Sequence, residues 1–233
     1  MKLEFRSIAQ TKSDIYILSV GNPALLYKIN KKDLSFKLVY RENHEKVFYD
    51  AIYFIDNKKG IAIGDPTEDT FSIITTVDGG ATWNKIPSNN LPKLAVGEAA
   101  FAASNTNICV KGNRIFLVSG GIKSRVFVSD DFCKTWQVYE TPIIQGQSMT
   151  GIFSADFLNE KTGIIVGGNY ETQSDNYGNK AITFDGGQSW KLVGINQGFG
   201  YASCVQFVPN TNGKSILCVG TTGIYSSTSQ GEN

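Results

Sequence analysis

Three octapeptides align without gaps in this chain and contain all of its tryptophans: Thr76-Val77-Asp78-Gly79-Gly80-Ala81-Thr82-Trp83, Ser129-Asp130-Asp131-Phe132-Cys133-Lys134-Thr135-Trp136 and Thr183-Phe184-Asp185-Gly186-Gly187-Gln188-Ser189-Trp190. The pattern is Ser/Thr-x-Asp-x-Gly-x-Thr/Ser-Trp, and Cys133 in the second glycine slot is its one departure. An aspartate in such a turn can accept hydrogen bonds from the N–H groups that follow it. Glycines allow left-handed backbone angles, and the hydroxyls satisfy further turn groups. Asp78, Gly80, Trp83, Asp131, Trp136, Asp185, Gly187 and Trp190 therefore read as structural residues, with each tryptophan expected to be buried beneath its turn.

Around each box the same strand order recurs. Ala51-Ile52-Tyr53-Phe54, a turn, and Gly60-Ile61-Ala62-Ile63-Gly64 precede the first box. Ser154-Ala155-Asp156-Phe157, a turn, and Gly163-Ile164-Ile165-Val166-Gly167 precede the third, and a short strand follows each tryptophan. Two weaker copies flank these. Upstream, Phe36 takes the Trp position. Downstream, Ser227 to Asn233 forms a box with Ser229 for Asp that stops one residue short of its aromatic. The steps Phe36 to Trp83 to Trp136 to Trp190 are 47, 53 and 54 residues, within the range of four-stranded propeller blades. The fold class expected is all-β, a β-propeller of four-stranded antiparallel blades. About five blades are present in a single domain over 1–233, near 3–41, 48–90, 98–142, 150–195 and 201–233. Closure needs a strand from the other terminus, and the N-terminal strand near Leu3 to Ala9 reads as an innermost one. A fragment of a longer ring is therefore the expectation, with a five-bladed ring of irregular last blade as its alternative.

Composition narrows the chemistry. Twenty-two basic and 21 acidic side chains leave a charge of +1 with no stretch of five or six like charges, which does not suggest nucleic acid or an anionic membrane as partner. Lys31, Lys32, Asp33, Lys58 and Lys59 read as solvated turn tips. Cys109, Cys133, Cys204 and Cys218 lie far apart beside a single histidine, His44, so neither a metal site nor a redox thiol pair is expected. Cys109, Cys204 and Cys218 read as small buried hydrophobes. No cofactor loop is visible, no window reaches the roughly 18 apolar residues of a membrane span, and the N-terminus lacks a secretory signal.

The octapeptides resemble the Asp-box (BNR, sialidase-type) repeat of sialidases, xyloglucanases and sortilin-type receptors. The stretches between them are most similar to the photosystem II assembly and stability factor-like propellers, in particular their bacterial, non-photosynthetic members. Gly60 to Pro66, Gly97 to Ser104, Val118 to Gly121, Pro142 to Gly146 and Gly200 to Val205 carry that likeness. The resemblance implies a seven-bladed, exported, periplasmic or extracellular propeller that acts in assembly or binding. Its departures are the blade count, the missing export signal and Cys133.

Propeller ligands use the loops that enter the innermost strands and those that follow the second strands. On that central face the candidates are His44, Asp65, Glu68, Asp69, Glu98, Lys123, Arg125, Gln145, Tyr170, Asp175, Tyr177 and Tyr201. His44, Lys123, Arg125, Gln145, Tyr170 and Tyr201 are the candidates for binding a protein or carbohydrate. Asp65 and Glu98, each at a strand end beside a glycine, are the candidate acids, with carboxylates expected to point toward the central channel. Ser174 to Asn179 could hold calcium or be an ordinary polar loop. A sialidase needs an arginine cluster, but only Arg6, Arg41, Arg114 and Arg125 exist, and Arg114 is expected in a turn on the opposite face. An inverting glycosidase needs two carboxyls about 6.5–9.5 Å apart, which Asp65 or Asp69 with Glu98 could supply. The leading reading is a non-catalytic protein- or glycan-binding scaffold, and the alternative is a glycoside hydrolase of sialidase-like or xyloglucanase-like type.

Overall fold

The computed structural model describes residues 3–232. They are strands and turns with one short 3-10 turn at Ser88–Asn90. The chain divides between Leu94 and Ala95 into two compact units. The first holds two four-stranded sheets in sequential order. One is β1 (Phe5–Gln10), β2 (Asp14–Ser19), β3 (Ala24–Asn30) and β4 (Phe36–Glu42); the other is β5 (Tyr49–Phe54), β6 (Gly60–Gly64), β7 (Ser72–Thr76) and β8 (Asn84–Lys85).

The second unit holds three blades. In the third, β10 (Ile108–Lys111) is the first strand of the four-stranded sheet, while the preceding β9 (Glu98–Ala99) pairs with Gly120 and Gly121, and Gly120 in turn pairs with Gly151 of the fourth blade. After β10 come β11 (Arg114–Val118), β12 (Gly120–Gly121), β13 (Arg125–Ser129) and β14 (Gln137–Glu140). The fourth is β15 (Thr150–Phe157), β16 (Gly163–Asn169), β17 (Lys180–Thr183) and β18 (Lys191–Leu192). The fifth has three strands among the described residues, β19 (Ala202–Phe207), β20 (Ile216–Gly220) and β21 (Gly223–Ser227). Asn233, which closes the fifth box in the sequence, lies outside the described residues. All pairings are antiparallel, as in the blades of a β-propeller.

The second strands of blades two and four, Gly60–Gly64 and Gly163–Asn169, are buried along their length. Apolar runs replace alternation because a blade is covered on both faces, as interior sheets are. In the first unit Tyr16, Leu18 and Leu26 of blade one meet Tyr49, Ile52, Ile74 and Trp83 of blade two. In the second unit Phe116, Val126 and Val128 of blade three meet Phe157, Ile165 and Trp190 of blade four. Ile164 and Val166 on the other face of blade four meet Val205, Phe207 and Cys218 of blade five. Trp83 and Trp190 thus both turn toward the preceding blade. Contact between blades is close enough to require glycine at two places. A Cβ on Gly80 would stand 2.4 Å from Tyr16 Cε1, and one on Gly151 would stand 2.3 Å from Gly120 Cα.

The three boxes share one geometry. Asp78 Oδ1 accepts the N–H groups of Ala81 and Thr82, both at 3.0 Å, while Thr82 Oγ1 donates to Oδ2 at 2.6 Å. Thr76 Oγ1 donates to Asp78 and accepts the Gly80 N–H. Asp131 repeats this with Lys134, Thr135, Ser129 and Cys133, and Asp185 with Gln188, Ser189, Thr183 and Gly187. Cys133 does not break the turn. Phe132 and Cys133 adopt φ of 59° and 67°, close to the 69° and 68° of Gly79 and Gly80, at a cost of about 1–2 kcal/mol each. The hydroxyl of Thr82 and its N–H hold the Asp78 carboxyl down to about 2, and Thr135 does the same for Asp131, also to about 2.

Two expectations about burial change. Trp83 is 6% exposed, but Trp136 and Trp190 are half-buried. The Trp83 ring is wedged edge-on against Tyr16 and Phe54, whereas the Trp190 indole reaches its own turn and donates to Gly187 O at 2.9 Å. Cys109 and Cys218 are buried as expected, and Cys204 only partly.

Trp83→Ala is expected to cost about 3–5 kcal/mol in urea unfolding, and Trp136→Ala and Trp190→Ala clearly less. The box carboxyls titrate below the ordinary aspartate value, so their contribution is complete above about pH 4 and is lost as pH falls toward about 2. Asp78→Asn and Asp131→Asn should each lower stability at pH 7 and flatten that acid limb in a pH series of melting temperatures.

Candidate functional site

Four innermost strands carry an irregularity at the same place, between Phe5 and Ser7, Tyr49 and Ala51, Ile152 and Ser154, and Ala202 and Cys204. A bulge re-aims the residue it leaves unpaired. Those residues are Arg6, Asp50, Phe153 and Ser203, and none of them belongs to the sequence-derived candidates.

In the second unit, Glu98 is the centre of a closed polar cluster. Its side chain is 0% exposed. Oε1 accepts Ser119 Oγ–H at 2.6 Å and Arg125 Nε–H at 2.9 Å, and Oε2 accepts Arg125 Nη2–H at 2.5 Å and the Ala95 N–H at 2.9 Å. Arg125 also lies over the Phe127 ring, 5.1 Å from its centroid. Glu98 therefore does not project its carboxylate into open space. It fixes the 95–98 turn against β13, and Arg125 is committed to the same task. Charge-assisted, bidentate bonds of this kind rigidify a site.

The remaining second-unit candidates separate by role. Gln145 Oε1 accepts the Ser124 N–H at 3.0 Å and so braces its loop. Lys123 pairs with Glu140 at 3.3 Å in solvent. Arg114 is in β11 rather than a turn, where it forms a two-point pair with Asp130. Asp175 and Tyr177 are exposed, and no three His, Cys, Asp or Glu side chains gather among the described residues.

Tyr170 and Tyr201 are brought together. Phe101 stacks on Phe153 at 4.0 Å, Phe153 meets Tyr201 edge-on at 4.7 Å, and Tyr201 meets Tyr170 at 5.2 Å. Tyr201 is only 3% exposed, so it is the buried support of this ladder rather than a contact surface, and burial pushes its hydroxyl up to about 12. Tyr170, 45% exposed, is the accessible end. The backbone fixes both rings, because Tyr170 N–H donates to Met149 O and Tyr201 N–H to Gln173 O, each at 2.9 Å.

In the first unit His44 folds back on its own loop, its Nδ1 accepting the Lys46 N–H at 3.2 Å. Asp69 pairs with Lys93, and Glu68 is exposed. Asp65 is half-buried, with its N–H donated to Phe48 O at 2.8 Å. Its carboxyl neighbour is Asp50, a fully buried acid. Burial first, and then the charge of Asp65, hold the Asp50 carboxyl well above the usual range, with Arg6 opposing. The nearby Asp65 N–H opposes that shift only weakly, because it is donated to Phe48 O, and by hydrogen-bond geometry neither Asp50 oxygen has a partner among the described residues. The sequence signal for Asp50 was an acid inside the apolar run Tyr49-Asp50-Ala51-Ile52.

No family's sequence profile matches the chain, and no curated protein matches it by sequence. Solved structures do match. YCF48 bound to a D1 peptide is similar with a TM-score of 0.61 at 11% identity, over 99% of this chain and 65% of that one. An ancestral GH74 enzyme has a TM-score of 0.61 at 14% identity, over 92% of this chain and 27% of that one. The WD40 β-propeller domain of Doa1 has a TM-score of 0.65 at 11% identity, over 100% of this chain and 67% of that one. The chain spans just under two thirds of the first and about a quarter of the second. At these identities the likeness shows the fold, a β-propeller, and propellers host unrelated functions.

Asp50 predicts its own pH signature. A folded carboxyl titrating above its unfolded value of about 3.9 contributes stability below that value, which is lost as pH rises toward the folded one. The loss is up to about 1.4 kcal/mol per pH unit. Asp50→Asn, which keeps the shape of the neutral acid, is expected to match the wild type near pH 4 and exceed it at pH 7–8 in denaturant unfolding.

Proposed function

We propose that this chain is a non-catalytic propeller of the Asp-box kind, related to the photosystem II assembly and stability factor-like group. In this reading it binds a protein segment on the loop face of its blades, in an exported setting. The observation that carries it is the aromatic ladder Phe101–Phe153–Tyr201–Tyr170, which ends in a half-exposed ring held by main-chain bonds. A rigid aromatic anchor beside polar loops is what peptide and protein recognition uses, because little side-chain entropy remains to be lost on binding. The structural similarity to YCF48, which is known bound to a D1 peptide, supports a peptide ligand.

The competing reading is a glycoside hydrolase working with Asp65 and Glu98, and the GH74 similarity keeps it in view. It requires a carboxyl able to exchange a proton at the sugar. The Glu98 oxygens are already taken by Arg125, Ser119 and the Ala95 N–H, which favours the binding reading.

Panning a library of extended peptides against the chain should yield binders, and Tyr170→Ala should weaken them by about tenfold or more, the effect of losing a central aromatic contact. Lys123→Ala, at the solvent-exposed pair, should have little effect. Turnover of xyloglucan or sialoside substrates that disappears in both Asp65→Ala and Glu98→Ala would overturn this reading in favour of the hydrolase.

A further inference from the structure

The segment that carries Tyr170, residues 170–179 between β16 and β17, is held along its length. Tyr170 N–H donates to Met149 O, and Glu171 N–H to Asn169 Oδ1, each at 2.9 Å. Gln173 O accepts the Tyr201 N–H at 2.9 Å, which ties the segment to the loop before β19. The approach there is close, because a Cβ on Gly200 would stand 2.0 Å from Gln173 O. Gly178 O accepts the Ile144 N–H at 2.8 Å and ties it to the loop before β15. Asn179 closes the segment, its Nδ2 donating to Phe199 O at 2.6 Å. With the backbone anchored to two neighbouring loops, little ordering is left for a ligand to impose.

The side chains presented outward are aromatic and acidic. Tyr170 is 45% and Tyr177 62% exposed. Glu171 and Asp175 are exposed as well, and neither forms an ion pair among the described residues. By contrast, the exposed acids Asp130, Glu140 and Glu232 of the same unit each have an Arg or Lys partner at 2.7–3.3 Å. The loops 141–149, 170–179 and 193–201 contain no Lys, Arg or His. The cations of these blades are committed or remote. Lys180 is buried and donates to Gln197 O, Lys123 pairs with Glu140, and Arg125 with Glu98. Lys161 sits at the far end of the β15–β16 hairpin, past the Phe157–Gly163 pairing, whereas Tyr170 follows the Thr150–Asn169 pairing at the near end.

A preset aromatic ring with two solvated carboxylates in its own segment selects for a cation that can meet both. A guanidinium is planar and weakly hydrated, stacks on aromatic faces, and forks onto a carboxylate, whereas an ammonium is a compact, strongly hydrated point charge. We propose, on the reading of Tyr170 as a peptide anchor, that the partner supplies an extended segment bearing an arginine. The guanidinium stacks on the Tyr170 ring, and Glu171 and Asp175 supply the countercharge. Complementary charge of this kind chooses among partners more than it adds affinity.

The probe is an array of capped random nonapeptides. Arginine should be enriched among the peptides that bind the wild-type chain, and replacing that arginine by citrulline, which keeps the shape and removes the charge, should weaken each at least about tenfold. The Glu171→Gln/Asp175→Asn double variant should lose the arginine enrichment, and Tyr170→Ala should lose the binding. Glu160→Gln, an equal loss of charge at the far end of the β15–β16 hairpin, should leave both unchanged. Raising the salt from about 0.05 to about 0.5 M should weaken binding severalfold, because these charges lie in solvent. Binders that need Tyr170 but tolerate citrulline, or that Glu160→Gln weakens as much as the double variant, would overturn the arginine assignment and leave the peptide reading standing. An array with no binders, or binders indifferent to Tyr170→Ala, would overturn both.

Discussion

A blade of four short strands has two apolar faces and no core of its own. Each face must be covered by another sheet, and that requirement organises the structure described here. It makes Gly60–Gly64 and Gly163–Asn169 buried throughout rather than alternating. It turns Trp83 and Trp190 toward the preceding blade. It also brings Gly120 and Gly151 so close that neither can carry a side chain. Some apolar groups stay exposed on the outer blades of each unit. Phe36 and Leu34 on blade one, and Ile224 and Leu217 on blade five, are the clearest cases.

The boxes serve that packing from the periphery. One carboxylate collects two backbone N–H groups and a hydroxyl, and a second hydroxyl ties the turn's start to its end. Every partner lies within four residues, so the turn is set locally and survives the replacement of its glycines by Phe132 and Cys133. This locality explains why the repeat was legible without a structure, and why it carries no information about a ligand. The carboxylates that shape these turns face their own backbone.

The loop face follows a different logic, in which partners are distant in sequence. Glu98 meets Ser119 and Arg125 across 21 and 27 residues. That pairing converts the best acid candidate into an internal brace. Asp50 and Phe153 occupy equivalent bulges, yet one is a fully buried acid beside Asp65 and the other the middle of an aromatic ladder. Alternation of apolar and polar residues does not reveal a one-residue bulge, so neither appeared among the candidates. Tyr170 and Tyr201 both read as loop residues in the sequence, and only the contacts of Tyr201 with Phe153 and Tyr170 show that one supports the other.

The sequence by itself determined the repeat unit, the strand order around each box, the all-β class and the identity of the turn-forming aspartates. Each of these depends on residues a few positions apart, whose chemistry is the same in any context. Tertiary structure alone decided which side chains are spent on holding the scaffold and which remain available. Glu98 and Arg125 are consumed by each other, and Tyr201 is buried beneath Tyr170. Those outcomes depend on burial and on partners from other strands and blades, and no local pattern records either.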